Sequence, residues 1–156
     1  MEIRRAVEAD MPAIHRLLVQ VNAVHHQGRP DLFKPAGSTK YTDPELRALI
    51  HDDGRPIFVA DDGGAVLGYA FCIFEQYVND NIRTDVRTLY IDDLCVDEAH
   101  RGRHVGRRLY DHVLAFARAA GCYNVTLNVW SCNPSALRFY EHCGLRPQKI
   151  GMETIL

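Results

Sequence analysis

The stretch DDLCVDEAHRGRHVGRRL, residues 92–109, changes its periodicity half-way along. The residues before Val96 extend a run rich in β-branched and aromatic side chains, TLYIDDLCV, which reads as a strand. From Val105 onward, Leu109, Val113, Phe116, Ala117 and Ala120 recur on one face of a helix that Gly121 ends. Between the two lies a junction holding Gly102, Gly106 and four arginines, Arg101, Arg103, Arg107 and Arg108. The first-turn N–H groups of a helix lack intrahelical partners and sit at the positive end of the macrodipole. With glycines to let a ligand approach, a strand-to-helix junction of this composition predicts an anion site, most naturally for phosphate.

The rest of the chain frames that junction. Glu2 to Val7 reads as a strand, and Asp10 with Pro12 starts a helix carrying Ile14, Leu17, Leu18, Val21 and Val24 on one face. VHHQGRPDLFKPAGSTKY is too long for a simple connector and is marked as a candidate functional segment. Asp43 is the expected cap of a second helix that stops at Gly54. PIFVAD and AVLGYAFCIFEQYV flank DDGG as a hairpin. NVTLNVW reads as a strand, Asn133-Pro134 opens a short helix that ends at Gly144, and GMETIL reads as a final strand. The order β-α-α-β-β-β-α-β-α-β defines an α+β, or mixed α/β, fold.

Composition narrows the function classes. The chain has 156 residues, 47% of them apolar and 24% charged, with a formal net charge of −2. A dedicated nucleic-acid binder carries a basic excess and interleaved aromatics; this chain has neither, so the basic cluster is local. The Walker pattern GxxxxGK[ST] and the dinucleotide pattern GxGxxG are absent. The five cysteines, Cys72, Cys95, Cys122, Cys132 and Cys143, are odd in number and form no CxxC pair. Buried thiols in a reduced, cytoplasmic protein are expected, with no disulfide framework and no metal site. The start MEIRRAVEAD lacks the apolar core of a signal peptide, and no apolar run approaches the ~20 residues of a membrane span, so no membrane partner is expected.

Two stretches together resemble the GNAT superfamily of acetyl-CoA-dependent N-acetyltransferases. The first family motif, [QR]-x-x-G-x-[GA], reads here Arg101-Gly102-Arg103-His104-Val105-Gly106. The second, approximately N-x-x-A-x-x-F-Y-x-x-x-G-[FL], falls on Asn133, Ala136, Phe139, Tyr140, Gly144 and Leu145. Both occur at the family's usual separation and on the expected elements, so the resemblance covers nearly the whole chain. It implies one N-acetyltransferase domain over residues 1–156. The implied sheet has about six to seven mostly antiparallel strands with a splayed centre, flanked by about four helices. One departure stands out: His104 occupies a place where the family usually has glycine.

The resemblance also implies roles. Backbone amides from Arg103 to Arg107, including His104, Val105 and Gly106, with Gly102 and the side chain of Arg101, would hold the pyrophosphate of coenzyme A. Leu94, Cys95 and Val96 would pair with the pantetheine, and Asn133 and Tyr140 would complete the cofactor site. The Cys95 N–H is a candidate oxyanion donor and Tyr140 the acid for the leaving sulfur. Asp92 is the candidate base by position and Asp93 the alternative; neighbours on a flat strand point to opposite faces, so only one could serve. Asn128 stands where a ribosomal-protein acetyltransferase has glutamate. The acceptor, a small-molecule or peptide primary amine, would meet His25, Phe33, Tyr77 and Asp92, with His26 and Tyr41 nearby; His25 and His26 read equally as loop histidines. A homodimer is compatible with the resemblance. Two other readings stand beside transfer: an acyl-CoA-sensing module of weak activity, and a nucleic-acid binder using residues 101–108.

Overall fold

A computed structural model describes residues 1–35 and 37–156. One sheet holds five strands in sequence order: β1 (Glu2–Arg5), β2 (Ile57–Asp62), β3 (Ala65–Gln76), β4 (Arg87–Val96) and β5 (Asn124–Leu127). The first four pair antiparallel, and β5 joins β4 in parallel. The helices are α1 (Met11–Gly28), α2 (Asp43–Ile50), α3 (Val105–Ala119) and α4 (Pro134–His142). The mixed α/β architecture agrees with the sequence reading, with five strands rather than six or seven.

The missing strands are the outer ones. β5 stops at Leu127 instead of Trp130, and residues 145–156 form no ladder, so GMETIL is not a strand. Propensity makes a segment compatible with a strand; only an edge in register makes it one. Ile150, Met152 and Ile155 are exposed, and Glu153 instead meets Arg29 at the end of α1. At the other end, α1 runs through His25 and His26, so the irregular segment begins after Gly28; residue 36 within it lies outside the described residues. Asp10 does not cap α1 with its side chain. It accepts from the Val7 N–H and from both Nη atoms of Arg4, which also reaches Asp61. Thr42, not Asp43, is the cap of α2, in a reciprocal box with Glu45.

Two apolar layers sandwich the sheet. Ile14, Leu17 and Leu18 of α1 with Leu46 of α2 pack on Val59, Tyr69 and Phe71. Leu109, Val113 and Ala117 of α3 pack on Phe58, Ala70, Leu89 and Ile91 from the other side. β2 and β3 are therefore buried on both faces, which is why their sequences read as near-continuous apolar runs rather than alternations. Each fully buried Leu or Ile here contributes roughly 1.5–3 kcal/mol of transfer free energy.

Two irregularities position the site. β4 and β5 pair only from Thr88–Asn124 to Ile91–Leu127, after which β4 continues to Val96 bonded to β3 alone. Its outer edge is thus open from Asp92 to Val96, the expected splay. The second is a bulge: Phe71 faces Asp93 and Cys72 faces Ile91, leaving Asp92 as the extra residue.

Candidate active site

The bulge changes which side chains share a face. Ile91 lies in the α3 layer, while Cys95 lies with Tyr69 and Phe71 in the α1/α2 layer. A regular strand would send Asp92 and Asp93 to opposite faces. With one extra residue inserted, both carboxylates come to the α1/α2 face. Lys40 donates to Asp92 Oδ2 at 2.6 Å, Tyr41 Oη reaches the same oxygen at 3.4 Å, and Tyr69 Oη donates to Asp93 Oδ2 at 3.0 Å. The expectation that only one aspartate could face the site is therefore corrected: both do.

The two carboxylates have different surroundings. Asp92 sits at the rim, paired with Lys40. Asp93 is hemmed in by protein, and burial pushes its carboxyl from the ordinary 3.8 up to about 6. The Lys40 ammonium and the Tyr69 hydroxyl oppose that rise, and Asp92 adds to it. Among the described residues Asp93 has no arginine partner; its side-chain hydrogen bond is the one from Tyr69.

The open edge of β4 forms one wall of a cavity of about 540 Å³. Leu94, Cys95 and Val96 line that wall, and Arg101, Gly102, His104, Val105, Gly106 and Arg107 line the end formed by α3. Asn133 and Tyr140 face them from α4. The two motifs, far apart in sequence, thus meet on one cavity. Val21, Val24, His100, Ser135, Phe139, His142 and Cys143 also line it. Phe139 was legible as a motif position; the α1 valines carried no signal beyond helical periodicity.

The α3 end of the cavity is built for an anion. The first-turn amides of Val105, Gly106 and Arg107 have no protein acceptor among the described residues. Gly102 has φ +75° and open space where a Cβ would be. His104 adopts the left-handed region, φ 60° and ψ 11°, which explains why glycine suits this place; the imidazole accepts no cap bond from the first-turn N–H groups of α3. Gly106 allows close packing, since a Cβ there would lie 3.3 Å from Phe139 and 3.4 Å from Val96.

The arginine side chains are less available than their number suggests. Arg101 folds back to donate to the Val96 carbonyl, Arg107 pairs with Asp111, and Arg108 donates to the Met1 carbonyl on the far side of the helix. Arg103 does not line the cavity. Backbone amides, rather than free guanidinium groups, dominate the anion site.

Tyr140 lines the cavity and lies within the field of Asp93. Burial raises its pKa above that of free tyrosine, and the nearby Asp93 adds to the rise. Its hydroxyl therefore holds a proton at neutral pH. Burial likewise pushes the Cys95 thiol up to about 12, so Cys95 is not a thiolate nucleophile. Asn133 accepts from the Ala136 N–H as the α4 cap, which gives it a structural role at the cavity rim.

The acceptor-side expectations divide. The His25 ring lies 4.9 Å from Phe33, which meets Trp130 edge-on at 5.2 Å, so α1, the following segment and the β5–α4 connection form one aromatic wall. Burial, then Lys40, lowers the His25 pKa. His26 instead hydrogen-bonds the Phe33 carbonyl at 2.8 Å. Tyr77 is not brought to the site. It follows the end of β3, its ring covered by Arg83 at 4.1 Å, and the paired end of β4, Arg87, is five residues or about 17 Å from Asp92. The cysteine expectation holds for Cys72 and Cys95, which are buried; Cys132 is exposed.

Helix amides, an open strand edge and a protonated tyrosine line one cavity, two carboxylates precede that edge on β4, and the class they define is that of the acyltransferases. The chain belongs to the acetyltransferase (GNAT) family, whose profile matches residues 22–145. The glucosamine 6-phosphate N-acetyltransferase 1 of Oryza sativa subsp. japonica is 37% identical over 110 residues, 69% of this chain and 62% of that relative. The chain thus matches a little under two thirds of that relative's length. A probable glucosamine 6-phosphate N-acetyltransferase 2 of the same plant is 31% identical over 127 residues, 79% of this chain and 70% of the relative. Among solved structures, a mutant of the BH1408 protein from Bacillus halodurans superposes with a TM-score of 0.95 at 29% identity, covering 100% of this chain and 99% of that one.

Proposed function

We propose that residues 1–156 act as one domain that moves an acetyl group from acetyl-CoA to a primary amine of a small molecule or peptide, by direct transfer in a ternary complex. The observation that carries the proposal is the meeting of unpartnered α3 amides, the open β4 edge and Tyr140 on one cavity, with Asp92 and Asp93 preceding the lining residue Leu94 on the same strand. Coenzyme A fits these residues: its pyrophosphate suits the amides of Val105, Gly106 and Arg107, and its amide-bearing arm suits the free edge at Leu94–Val96. When bound, it supplies an activated acetyl thioester.

The chain's own residues divide the remaining work. Asp92 anchors the incoming ammonium at the rim. Asp93, with a pKa of about 6, is ionised at neutral pH yet basic enough to take the amine proton, and Tyr69 orients it. The Cys95 N–H is the candidate donor to the carbonyl oxygen. Tyr140 hands its proton to the departing sulfur, and its raised pKa lets it recover that proton from the amide nitrogen. The protonated Cys95 thiol favours direct transfer over a cysteine-bound intermediate. Glucosamine 6-phosphate, the amine named for the plant relatives, is the first acceptor to test; a mixed field of Asp92, Asp93 and Lys40 suits an amine that also bears an anion.

The test is acetyl-CoA turnover with an amine panel led by glucosamine 6-phosphate, with Tyr140→Phe alongside. A kcat loss of about 10²–10⁴-fold in Tyr140→Phe is expected. Unchanged turnover would remove Tyr140 as the acid. Saturable acetyl-CoA binding without transfer to any amine would leave the acyl-CoA-sensing module in its place. We retain a cytoplasmic location and a homodimer as further elements of the proposal, following from the reduced cysteines and from the family resemblance.

A further inference from the structure

The acceptor side of the site already holds an amine, and it belongs to the chain. Lys40 Nζ lies 2.6 Å from Asp92 Oδ2, with its side chain 41% exposed and Asp92 24% exposed. The ammonium also sits 5.5 Å from the centre of the Tyr41 ring. Asp93 feels its charge, and so does His25 in the aromatic wall. The segment carrying it is held on both sides: His15 meets Thr39 through Nδ1 at 3.4 Å and Asp43 through Nε2 at 2.9 Å. Thr42 is locked to Glu45.

Holding a lysine this way opposes the rotamer entropy of its long side chain. A partly exposed ion pair offsets only a fraction of that loss. Lys40 therefore occupies the rim but is easily displaced. Lysine is scarce in this chain: Lys34, Lys40 and Lys149 are all there are. Only Lys40 is paired with a carboxylate at the site, and Lys34 and Lys149 are exposed.

We propose that Lys40 is an internal acetyl acceptor, acetylated at Nζ by the chain's own site when acetyl-CoA is bound and no external amine competes. The inference rests on the transferase reading given above. The Lys40 ammonium gives one proton to the Asp93 carboxylate. The neutral nitrogen attacks the thioester carbonyl carbon, an N–C bond forms and the C–S bond breaks. The thiolate takes the Tyr140 proton, and the tyrosinate recovers one from the new amide nitrogen. The products are acetyl-Lys40, free CoA thiol and one proton, which leaves through Asp93. Tethering gives the internal amine a high effective concentration, which offsets its imperfect aim. Acetylation removes the charge that pairs with Asp92, so the rim carboxylate is then free for an external amine.

The test incubates the full chain with isotopically labelled acetyl-CoA and no amine, followed by intact mass and peptide mapping. Lys40 should gain one acetyl group about 10-fold or more faster than Lys34 or Lys149, with a similar loss in Asp93→Asn and Tyr140→Phe. Lys40→Arg should abolish that label, and added glucosamine 6-phosphate or spermidine should slow it in wild type. Equal labelling of the three lysines, or labelling at Lys40 that survives Tyr140→Phe, overturns the inference. A parallel arm separates the two readings: acetylation of an added amine with Lys40 untouched defeats the inference alone. Absence of any stabilisation by acetyl-CoA in thermal unfolding defeats the transferase reading as well.

Discussion

Replacing Asp93 by Asn should stabilise the fold while removing activity. Its carboxyl titrates near 6 in the folded chain against an ordinary 3.8, a gap of about 2.2 units, and each unit is 1.36 kcal/mol. Because the folded-state pKa of an acid is raised, the native state binds more protons than the unfolded chain between these values. The penalty is therefore fully present above about pH 6 and disappears as the pH falls toward the unfolded value. At neutral pH its ceiling is about 3 kcal/mol. Asp93 retains partial solvent access beside the cavity, which screens part of this, and an Asn amide keeps the Tyr69 bond but adds donors without partners. A net gain of about 1–2 kcal/mol near pH 7.5 remains, or roughly 2–8 °C in Tm for a domain of this size. The advantage of Asp93→Asn over wild type should shrink by about 1.4 kcal/mol between about pH 7.5 and about pH 5. Urea unfolding of both proteins across that range measures it. In the same preparations, the wild-type kcat/KM should rise with pH through about 6 and level off, a limb absent from the variant. A variant less stable than wild type at pH 7.5, or a stability difference independent of pH, would refute the argument that Asp93 is a desolvated base.

Three other outcomes follow from the geometry. A Cβ at Gly68 would stand 2.7 Å from the Cys95 carbonyl oxygen and 3.3 Å from the Val96 Cα, so Gly68→Ala should cost about 2–3 kcal/mol and weaken acetyl-CoA binding, read by denaturant midpoint and thermal shift. His104→Gly relieves a left-handed non-glycine residue and should gain up to about 1 kcal/mol, whereas His104→Val should lose about as much and bind acetyl-CoA less tightly. Arg4→Met leaves Asp10, 6% exposed, without its bidentate partner and should cost about 3 kcal/mol or more in equilibrium unfolding.

The class of fold and the two segments that line the cavity are legible in residue order alone. Runs rich in β-branched and aromatic residues, DDGG between two of them, the change of period at Val105 and the cap-and-stop pair Asn133 and Gly144 are local signals, and local conformational preference is what a sequence encodes most directly. The motifs at 101–106 and 133–145 belong to two segments whose convergence follows from the element order. The shortened β5 and unpaired residues 145–156 were not legible, since a strand exists only where another edge is in register. Nor was the bulge opposite Phe71 and Cys72, because no residue at Asp92 or Asp93 marks it. That single inserted residue reverses the strand's parity and gathers Asp92, Asp93, Tyr69 and Lys40 on one face. Which carboxylate is the more desolvated, and thus which is the proposed base, follows from tertiary packing: desolvation depends on what surrounds a side chain, and Tyr69, Tyr140 and Lys40 reach Asp93 from three distant parts of the chain.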